Sequence, residues 1–322
     1  MSIRHDLLHL LADGAFHSGT DLGKRLGVTR AAVNKGVQQW AERGLDIHRV
    51  SGRGYRLGEP FVPLAADLIR EQLAAVGLDL PVEVLTETDS TSQHLLRAAS
   101  DGPRICLAEA QSAGRGRRGR AWVTTPFHNI LLSLRWYFDQ GPAALTGLGL
   151  AAGVAVLRAL ETLGVPGLGL KWPNDVLLDG RKLAGLLIDV RGEVEGPALV
   201  VLGLGLNVCL AARDAARIDQ PWASLHERLP SPVDRNRLAA LLIRELVAVF
   251  DCYGREGFAA FRDEWERRHL FRDQPVSVQN AHETVQGIAL GVDERGALRL
   301  RDTRGEVRSF YSGEVSLRAA TL

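Results

Sequence analysis

The segment 114–120 constrains this chain more than any other, because it holds three glycines and four arginines in seven consecutive positions. It contains no apolar side chain and cannot lie in a hydrophobic core. Arginine presents rigid pairs of N–H donors that match carboxylate and phosphate groups. Glycine lets the backbone approach a ligand and adopt positive φ. We therefore predict a mobile loop that wraps an anion in a binding site; a basic surface loop and a nucleic-acid contact remain alternatives.

Gly114, Gly116 and Gly119 also have the spacing of a dinucleotide-binding fingerprint. That fingerprint requires an apolar helix directly after the glycines, with its N-terminus on the pyrophosphate. Here Trp122 and Pro126 follow instead, with two threonines between them. The sequence therefore does not predict a dinucleotide fold at this position.

The N-terminal sixty residues predict a helix-turn-helix with a hairpin wing. Apolar spacing predicts helices at 3–12, 19–26 and 30–40, the last two capped by Ser18 and Thr29. A hairpin over 46–57 follows, with its turn at 51–54.

The outer face of the third helix and the tip of the wing predict contact with DNA. Between Lys24 and Arg56 there are eight Lys/Arg and two Asp/Glu, and polar side chains on such a helix suit readout of the major groove. One such domain binds weakly, so two-fold dimerisation is expected for specific binding. A module used only for protein contacts is the alternative. The residues proposed for DNA are Arg30, Asn34, Lys35, Gln38 and Arg53.

The central region alternates strands and helices and carries the other candidate site residues. Strands are predicted at 82–87, 105–110, 130–136 and 198–208, and helices at 64–76, 93–99, 142–163, 235–253 and 258–268. Ser90, Thr91 and Ser92 precede the helix at 93–99 and either cap it or offer hydrogen bonds to a ligand. Gln111 ends a strand, and Trp122 either stacks on a planar base or belongs to the core.

A second polar cluster interrupts an apolar strand at 171–175. Lys171, Asn174 and Asp175 lie in a mostly buried context and need partners, because unpaired buried charge is costly. A purely structural Lys171–Asp175 ion pair is one interpretation. The turn Asp179-Gly180 predicts a hairpin that brings Lys182 beside this cluster, Asn207 ends the last central strand, and the polar loop 213–221 is long enough to act as a lid.

The tail at 275–317 predicts a small β-barrel of about five strands, from its short alternating runs and turns. The three cysteines, Cys106, Cys209 and Cys252, lack metal-ligand spacing and lie in apolar segments. We interpret them as reduced core thiols. With the absence of a signal peptide, they predict a cytoplasmic protein.

Three blocks in this order resemble the bifunctional biotin–protein ligases that also repress the biotin operon: 114–120, Lys171-Trp-Pro-Asn-Asp175 and Arg181-Lys-Leu-Ala-Gly185. The resemblance covers essentially the whole chain. It implies an α+β protein with a winged helix-turn-helix at 1–62, a catalytic domain of class II synthetase type built on a central mixed β-sheet at 63–272, and an SH3-like β-barrel at 273–322.

The resemblance also implies chemistry and partners. Biotin and ATP, with Mg2+, would give biotinoyl-5'-AMP and pyrophosphate, and biotin would then move to a lysine of the biotin carboxyl carrier protein of acetyl-CoA carboxylase. The adenylate-bound form would be a homodimer that binds operator DNA. The biotin-binding residues would be Ser90, Thr91, Ser92, Gln111, Arg115, Gly116, Arg117 and Lys182, with Arg117 and Lys182 catalytic. Nucleotide binding would fall to Trp122, Asn174, Asp175 and Asn207, and Glu314 and Arg318 would assist ATP or the acceptor.

The residue types fit that chemistry, since a carboxylate that attacks a phosphate is repelled by about 4 kcal/mol at 4 Å and an effective dielectric near 20. Arg117, Lys182 and magnesium can offset this repulsion. Two alternatives remain: a lipoate–protein ligase, and a transcription regulator that senses a metabolite without turnover.

Overall fold

The computed structural model describes residues 3–99, 102–193, 196–279, 283–312 and 316–319. Its N-terminal part is the predicted helix-turn-helix with a wing, built from α1 Ile3–Leu11, α2 Gly19–Leu26, α3 Arg30–Glu42, β1 Ile47–Val50 and β2 Gly54–Leu57. Ser18 Oγ accepts from the N–H of Asp21 at 3.0 Å and begins α2, and Thr29 Oγ1 accepts from Ala32 at 3.2 Å and begins α3. Gly27 ends α2 at φ 66°, in the left-handed region that favours glycine.

The centre is one mixed sheet flanked by helices. In chain order its elements are α4 Ala66–Ala74, β3 Val82–Leu85, α5 Thr91–Arg97, β4 Arg104–Ala108, β5 Asn129–Phe138, α6 Leu148–Thr162, β6 Leu168–Lys171, β7 Asp175–Leu178, β8 Arg181–Gly192, β9 Ala198–Asn207, α7 Ala212–Ala215, α8 Arg235–Glu256 and α9 Ala259–Arg268. Among the described residues, seven strands pair in the order β3-β4-β5-β9-β8-β7-β6. Only β3 and β4 run parallel; the other neighbours are antiparallel.

The two faces of this sheet are covered differently. Apolar side chains such as Leu132, Leu134 and Leu202 pack with α6 and α8 into the main core. Because side chains alternate along a strand, the intervening residues point to the opposite face. There α5 packs on β4, β5 and β9, and the remainder of that face is left for a cavity.

The tail is the predicted small β domain. Within its described residues, β10 Pro275–Gln279, β11 Thr284–Val292, β12 Leu298–Asp302, β13 Val307–Phe310 and β14 Ser316–Ala319 form an antiparallel sheet in the order β13-β12-β11-β10-β14. The buried side chains of Val276, Val278 and Leu300 join the main core, which fixes the tail against the central part. No helix in the described part of the chain is long and apolar enough to cross a membrane.

Three sequence-based predictions were wrong in detail. The helix predicted at 142–163 is a 3-10 turn, Pro142–Leu145, followed by α6 from Leu148. The segment 213–221 is not irregular throughout, because α7 covers its start. Of the three cysteines only Cys106 is fully buried, and this burial raises the pKa of its thiol to about 12; Cys209 and Cys252 are half-buried, although all three are free as expected.

A ring cluster and an ion pair hold the N-terminal part against the centre. Phe127 lies 5.1 Å from the Trp40 ring at the end of α3 and 5.4 Å from the Phe61 ring in the linker. Arg43 and Glu87 form an exposed ion pair at 2.6 Å across the same boundary.

The linker is anchored by one fully buried ion pair. Arg235, at the start of α8, donates to both carboxylate oxygens of Glu109 at 2.7 and 2.9 Å, and both residues are at most 2% exposed. Arg235 also donates to the carbonyl oxygens of Val62 at 3.0 Å and Asn129 at 3.1 Å, and Glu109 accepts from the N–H of Leu64 at 2.8 Å. The pair therefore ties the linker, the end of β4, the start of β5 and α8 to one point.

Replacing Glu109 by Gln should destabilise the protein by about 3–5 kcal/mol, because it leaves the buried guanidinium of Arg235 without a counter-charge. Urea unfolding followed by tryptophan fluorescence measures the change. The matched control is Glu161→Gln, which removes a partner of Arg268 where both side chains are more than a third exposed. The control should change stability by no more than about 1 kcal/mol. Equal small losses in the two variants would contradict the anchoring role.

Candidate active site

Glycines on the two central strands form the floor of a cavity of about 870 Å³. Gly185 of β8 is paired with Gly205 of β9, and Gly203 lies on the same face two residues earlier. A Cβ at Gly203 would stand 2.5 Å from Ser92 Oγ, and one at Gly205 would collide with the indole of Trp122. Any larger residue at either position would therefore displace a side chain that lines the cavity. Its size suits a small molecule joined to a nucleotide.

One end of the cavity is polar but uncharged. The backbone N–H and the hydroxyl of Thr91 both donate to Gln111 Oε1, at 2.7 and 3.1 Å. The hydroxyls of Thr91 and Ser92 lie 2.8 and 2.9 Å from Ser133 Oγ. Ser90 caps α5 through the N–H of Gln93 at 3.4 Å, whereas Thr91 and Ser92 belong to α5 itself, which begins two residues earlier than predicted. This end can exchange hydrogen bonds with a neutral polar group.

Ser133 is a member of this network that sequence reasoning missed. It is the one polar residue in the otherwise apolar run 130–134 and is fully buried. A hydroxyl at such a position signals a partner on the facing helix, because buried polar groups are almost always hydrogen-bonded. The spacing of Gly203 and Gly205 was a second indication of the site that sequence reasoning missed. Residues two apart on a strand lie on the same face of the sheet.

The other end of the cavity is cationic. Lys182 Nζ lies 2.7 Å from Asp175 Oδ1, so Asp175 pairs with Lys182 and the Lys171–Asp175 interpretation is wrong. Arg117 donates from Nη1 to Asn174 Oδ1 at 3.2 Å and from Nη2 to the carbonyl oxygen of Ser312 in the tail. Burial lowers the pKa of Arg117, and the nearby charge of Asp175 partly opposes this.

The Arg/Gly segment forms a closed turn over this end. The N–H of Gly116 donates to Arg120 O at 2.7 Å, and the N–H of Trp122 donates to Gly114 O at 2.9 Å. Positive φ falls on Arg118 and Gly119, at 58° and 70°, and not on the other two glycines as the sequence argument suggested. Gly114 is required for a different reason, because the Gln111 side chain lies close to its Cα. A Cβ at this position would lie 3.1 Å from Gln111 Nε2. Arg115 pairs with Asp189 of β8 at 3.0 Å and holds the turn to the sheet.

Lys171 lines the same end, although sequence reasoning gave it no ligand role. Its ammonium lies 5.7 Å from the ring of Phe271. Burial lowers its pKa; Asp175 opposes that change, while the positive charges of Lys182, Arg318 and Arg120 reinforce it. Arg318 also lines the cavity, whereas Glu314 lies outside the described residues.

Trp122 and Asn207 complete the cavity between its two ends. The ring of Trp122 lies 5.4 Å from Lys182 Nζ, and its Nε1 is buried without a hydrogen-bond partner among the described residues. Asn207 donates from Nδ2 to Ala223 O at 3.1 Å. Its Oδ1 has no partner in the same part of the chain.

The predicted lid forms a wall of the cavity. Residues 217–222 line it, and the backbone of Lys182 exchanges hydrogen bonds with Pro221 and Ala223 at 2.9 Å each. At the start of the segment, Thr125 donates to the buried carboxylate of Asp214 at 2.8 Å. Arg213 donates to Gly44 O, next to the end of α3, so the segment touches both the cavity and the helix-turn-helix.

The structure brings together all twelve residues predicted to bind biotin or nucleotide. They line one cavity with Lys171 and the glycine floor: Ser90, Thr91, Ser92, Gln111, Arg115, Gly116, Arg117, Trp122, Asn174, Asp175, Lys182 and Asn207. The arrangement can hold a ligand with a neutral polar head, an anionic tail and an attached phosphate.

The residues predicted to contact DNA lie apart from this cavity. Arg30, Lys35 and Gln38 are exposed on α3. Asn34 is half-buried, and its side-chain oxygen accepts a hydrogen bond from the Tyr55 hydroxyl at 3.2 Å. This hydrogen bond holds the wing to α3. Arg53, at the wing tip, lies 5.3 Å from the Phe16 ring.

Comparison with family models matches three parts of the chain. Residues 4–56 match a helix-turn-helix domain, residues 82–207 the biotin/lipoate A/B protein ligase family, and residues 273–318 the biotin protein ligase C-terminal domain.

Curated relatives and solved structures agree with these matches. The bifunctional ligase/repressor BirA of Salmonella typhimurium is 41% identical over 98% of this chain and 97% of its own length, and that of Escherichia coli is 40% identical over the same shares. The biotin–[acetyl-CoA-carboxylase] ligase of Mycobacterium tuberculosis is 38% identical over 79% of this chain and 95% of its own. The structure of the Aquifex aeolicus biotin protein ligase in complex with biotin and ATP shares the fold, with a TM-score of 0.64 and 24% identity over 74% of this chain and 99% of that one. The chain therefore belongs to the biotin protein ligase family.

Proposed function

We propose that this protein is an ATP-dependent biotin–protein ligase that also acts as a biotinoyl-AMP-dependent repressor of biotin-synthesis genes. The observation that carries the ligase half is the cavity, whose hydroxyl–amide end and guanidinium–ammonium end are joined by a floor of glycines. Relatives that match nearly the full length bear the names of both activities. The division at 1–62, 63–272 and 273–322 is part of this proposal.

The neutral end suits the ureido ring of biotin. A ureido group carries one carbonyl acceptor and two N–H donors, and Ser90, Thr91, Ser92 and Gln111 offer hydroxyl and amide groups of both kinds. The valeryl chain then runs along the glycine floor, past Ser92 at Gly203 and the indole of Trp122 at Gly205. This direction brings the biotin carboxylate to the cationic end, beside Arg115, Gly116, Arg117 and Lys182.

The first step joins two anions. A biotin carboxylate oxygen attacks the α-phosphorus of ATP, the bond to the bridging oxygen of the β-phosphate breaks, and pyrophosphate leaves. Arg117 and Lys182 stabilise the charge that develops on the transferring group. Trp122 stacks on the adenine, and Asn174 binds its polar edge. No side-chain nucleophile takes part.

Two oxygen-bearing residues that line the cavity, Asp175 and Asn207, would hold magnesium. The carboxylate of Asp175 and the Oδ1 of Asn207, which has no partner among the described residues, are the hard oxygen ligands that magnesium prefers. When bound with ATP, the ion neutralises negative charge on the phosphates.

In the second step the ε-amine of an acceptor lysine attacks the acyl carbon of the adenylate. The anhydride bond breaks, AMP leaves with the phosphate oxygen, and the amine nitrogen loses a proton. The mixed anhydride hydrolyses in water, so the turn at 114–120 and the segment 213–221 serve to exclude water until the acceptor docks. The acceptor is the carrier protein of acetyl-CoA carboxylase.

Pyrophosphate release separates this function from its competitors. We expect release with ATP and biotin but not with ATP and lipoate, and label transfer to a carrier-protein domain only with biotin. Release with lipoate would favour a lipoate ligase. No pyrophosphate release with either acid would favour a transcription regulator that senses a metabolite without turnover. Such a regulator does not need the phosphate-neutralising cations of the cavity.

Replacing Arg117 by Gly should let the adenylate escape while still allowing it to form. Loss of charge-assisted hydrogen bonds of about 1.5–3 kcal/mol should speed release of biotinoyl-AMP roughly ten-fold or more. Filter separation of free from bound adenylate measures this, and labelling of unrelated proteins in the mixture should rise. Arg304→Gly, in an exposed turn of the tail, is the control. Unchanged retention of adenylate in the Arg117 variant would refute the role.

The repressor half requires adenylate to change DNA affinity. We propose that bound adenylate favours a homodimer that places two winged helices on a palindromic operator, and that the acceptor protein competes for the same surface. Gel shifts with promoter DNA of biotin-synthesis genes should show tighter binding with biotinoyl-AMP present. Lys35→Ala should weaken that complex about ten-fold or more while leaving ligase turnover unchanged. Equal DNA affinity with and without adenylate would end the linkage claim.

A further inference from the structure

Three metal-ligating side chains meet on the cavity-bearing face of the sheet but outside the cavity. Glu83 of β3 and Cys106 of β4 are direct neighbours in the parallel register, and His94 reaches them from α5. The imidazole Nε2 lies 2.9 Å from Glu83 Oε2. One ligand atom from each of the three residues lies within 4.8 Å of the others, and no other such trio is found in the described part of the chain.

The three ligands are exposed to different degrees. Cys106 is fully buried, while the side chains of His94 and Glu83 are 33% and 40% exposed. Strand β3 is the edge of the sheet, so an ion can enter from the solvent side. The sulfur of Cys106 is then the innermost ligand of the ion, and the coordination position that faces solvent is open to water.

We propose that Glu83, His94 and Cys106 bind one divalent transition-metal ion, best suited to Zn2+. Thiolate, imidazole and carboxylate are the three ligand types of tetrahedral zinc sites, and a water molecule completes the fourth position. Thiolate and imidazole disfavour magnesium and calcium, which prefer oxygen ligands. Ligand atoms spread over 4.8 Å need only a small side-chain movement to close on an ion with bonds of about 2.0–2.3 Å.

The proposed metal site adjoins the neutral end of the cavity. Cys106 is paired across β4 and β5 with Ser133, whose hydroxyl contacts Thr91 and Ser92. His94 lies on the same short helix as those two residues. A bound ion therefore fastens α5 to β3 and β4, and steadies the hydroxyls that face the ligand. This consequence for biotin rests on the proposed function, whereas metal binding itself does not.

Zinc titration of the tag-free full-length protein against a chelator of known affinity tests the site. We expect one equivalent of Zn2+ per chain, and binding weaker by more than about ten-fold in Cys106→Ser and in His94→Gln. Cys209→Ser is the matched control, since that thiol is half-buried and belongs to no such group; it should bind as the parent does. In the Co2+ form, a thiolate-to-cobalt charge-transfer band should appear in the parent and the control and vanish in Cys106→Ser.

Thermal unfolding keeps the test decisive if the buried Cys106→Ser variant folds poorly. Zn2+ should raise the Tm of the parent and leave that of His94→Gln unchanged, because the His94 substitution is at a half-exposed position. Equal zinc affinity in the parent and His94→Gln, or no zinc uptake by the parent at micromolar protein, would overturn the proposal. Since these measurements use neither biotin nor ATP, failure of the ligase function leaves their outcome unaffected. With the ligase established, the zinc form should show a lower KM for biotin than the metal-free form.

Discussion

The site depends on a single constraint, which is that the central sheet must be packed on one face and bare on the other. On one face, apolar residues of β5, β8 and β9 bury themselves against α6 and α8. On the other, Gly185, Gly203 and Gly205 carry no side chain, so that Ser92 and Trp122 can lie close to the strands; Cβ atoms at these positions would collide with them. Burial of apolar side chains on the packed face stabilises the sheet, whereas the glycines of the other face bury no side chain. An extended ligand can therefore lie flat across rigid strands, which position polar groups more accurately than loops do.

Polarity changes along this floor from neutral to cationic, and that order dictates how a ligand must lie. Ser133 gathers Thr91 and Ser92 at one end. Arg117 and Lys182 face the other, where Asp175 is already paired with Lys182. Burial lowers the pKa values of Lys171 and Arg117, and repulsion from neighbouring cations lowers them further. An anionic ligand would relieve this repulsion, and in the proposed reaction the same charges would provide both affinity and transition-state stabilisation.

The helix-turn-helix is attached through groups that also border the ligand region. The buried Arg235–Glu109 pair fixes the linker to the ends of β4 and β5, and Phe127 inserts between Trp40 and Phe61. Arg213, in the segment that lines the cavity further on, donates to the backbone beside α3. These contacts connect the wall of the cavity physically with α3 of the helix-turn-helix.

Local chemistry in the sequence determined the elements and the residues that line the cavity. Caps at Ser18, Thr29, Ser90 and Asp234 begin helices because their side chains satisfy free N–H groups, and Asp179-Gly180 turns the hairpin that carries Lys182. Boundaries moved where packing decided, as at Gly147, where a Cβ would collide with Phe258 and the helix begins only at Leu148.

The sequence by itself determined which residues needed a polar or charged partner. Arginines in a segment without apolar residues, and polar residues in an apolar segment, need such partners in any fold. What only the tertiary structure decided was who the partner is. Asp175 pairs with Lys182 and not Lys171, Ser133 rather than Ser90 holds the buried hydroxyls, and Glu83, His94 and Cys106 converge from three elements. The physical reason is that strand register and helix placement bring together residues as far as 195 positions apart, and no local pattern records such pairings.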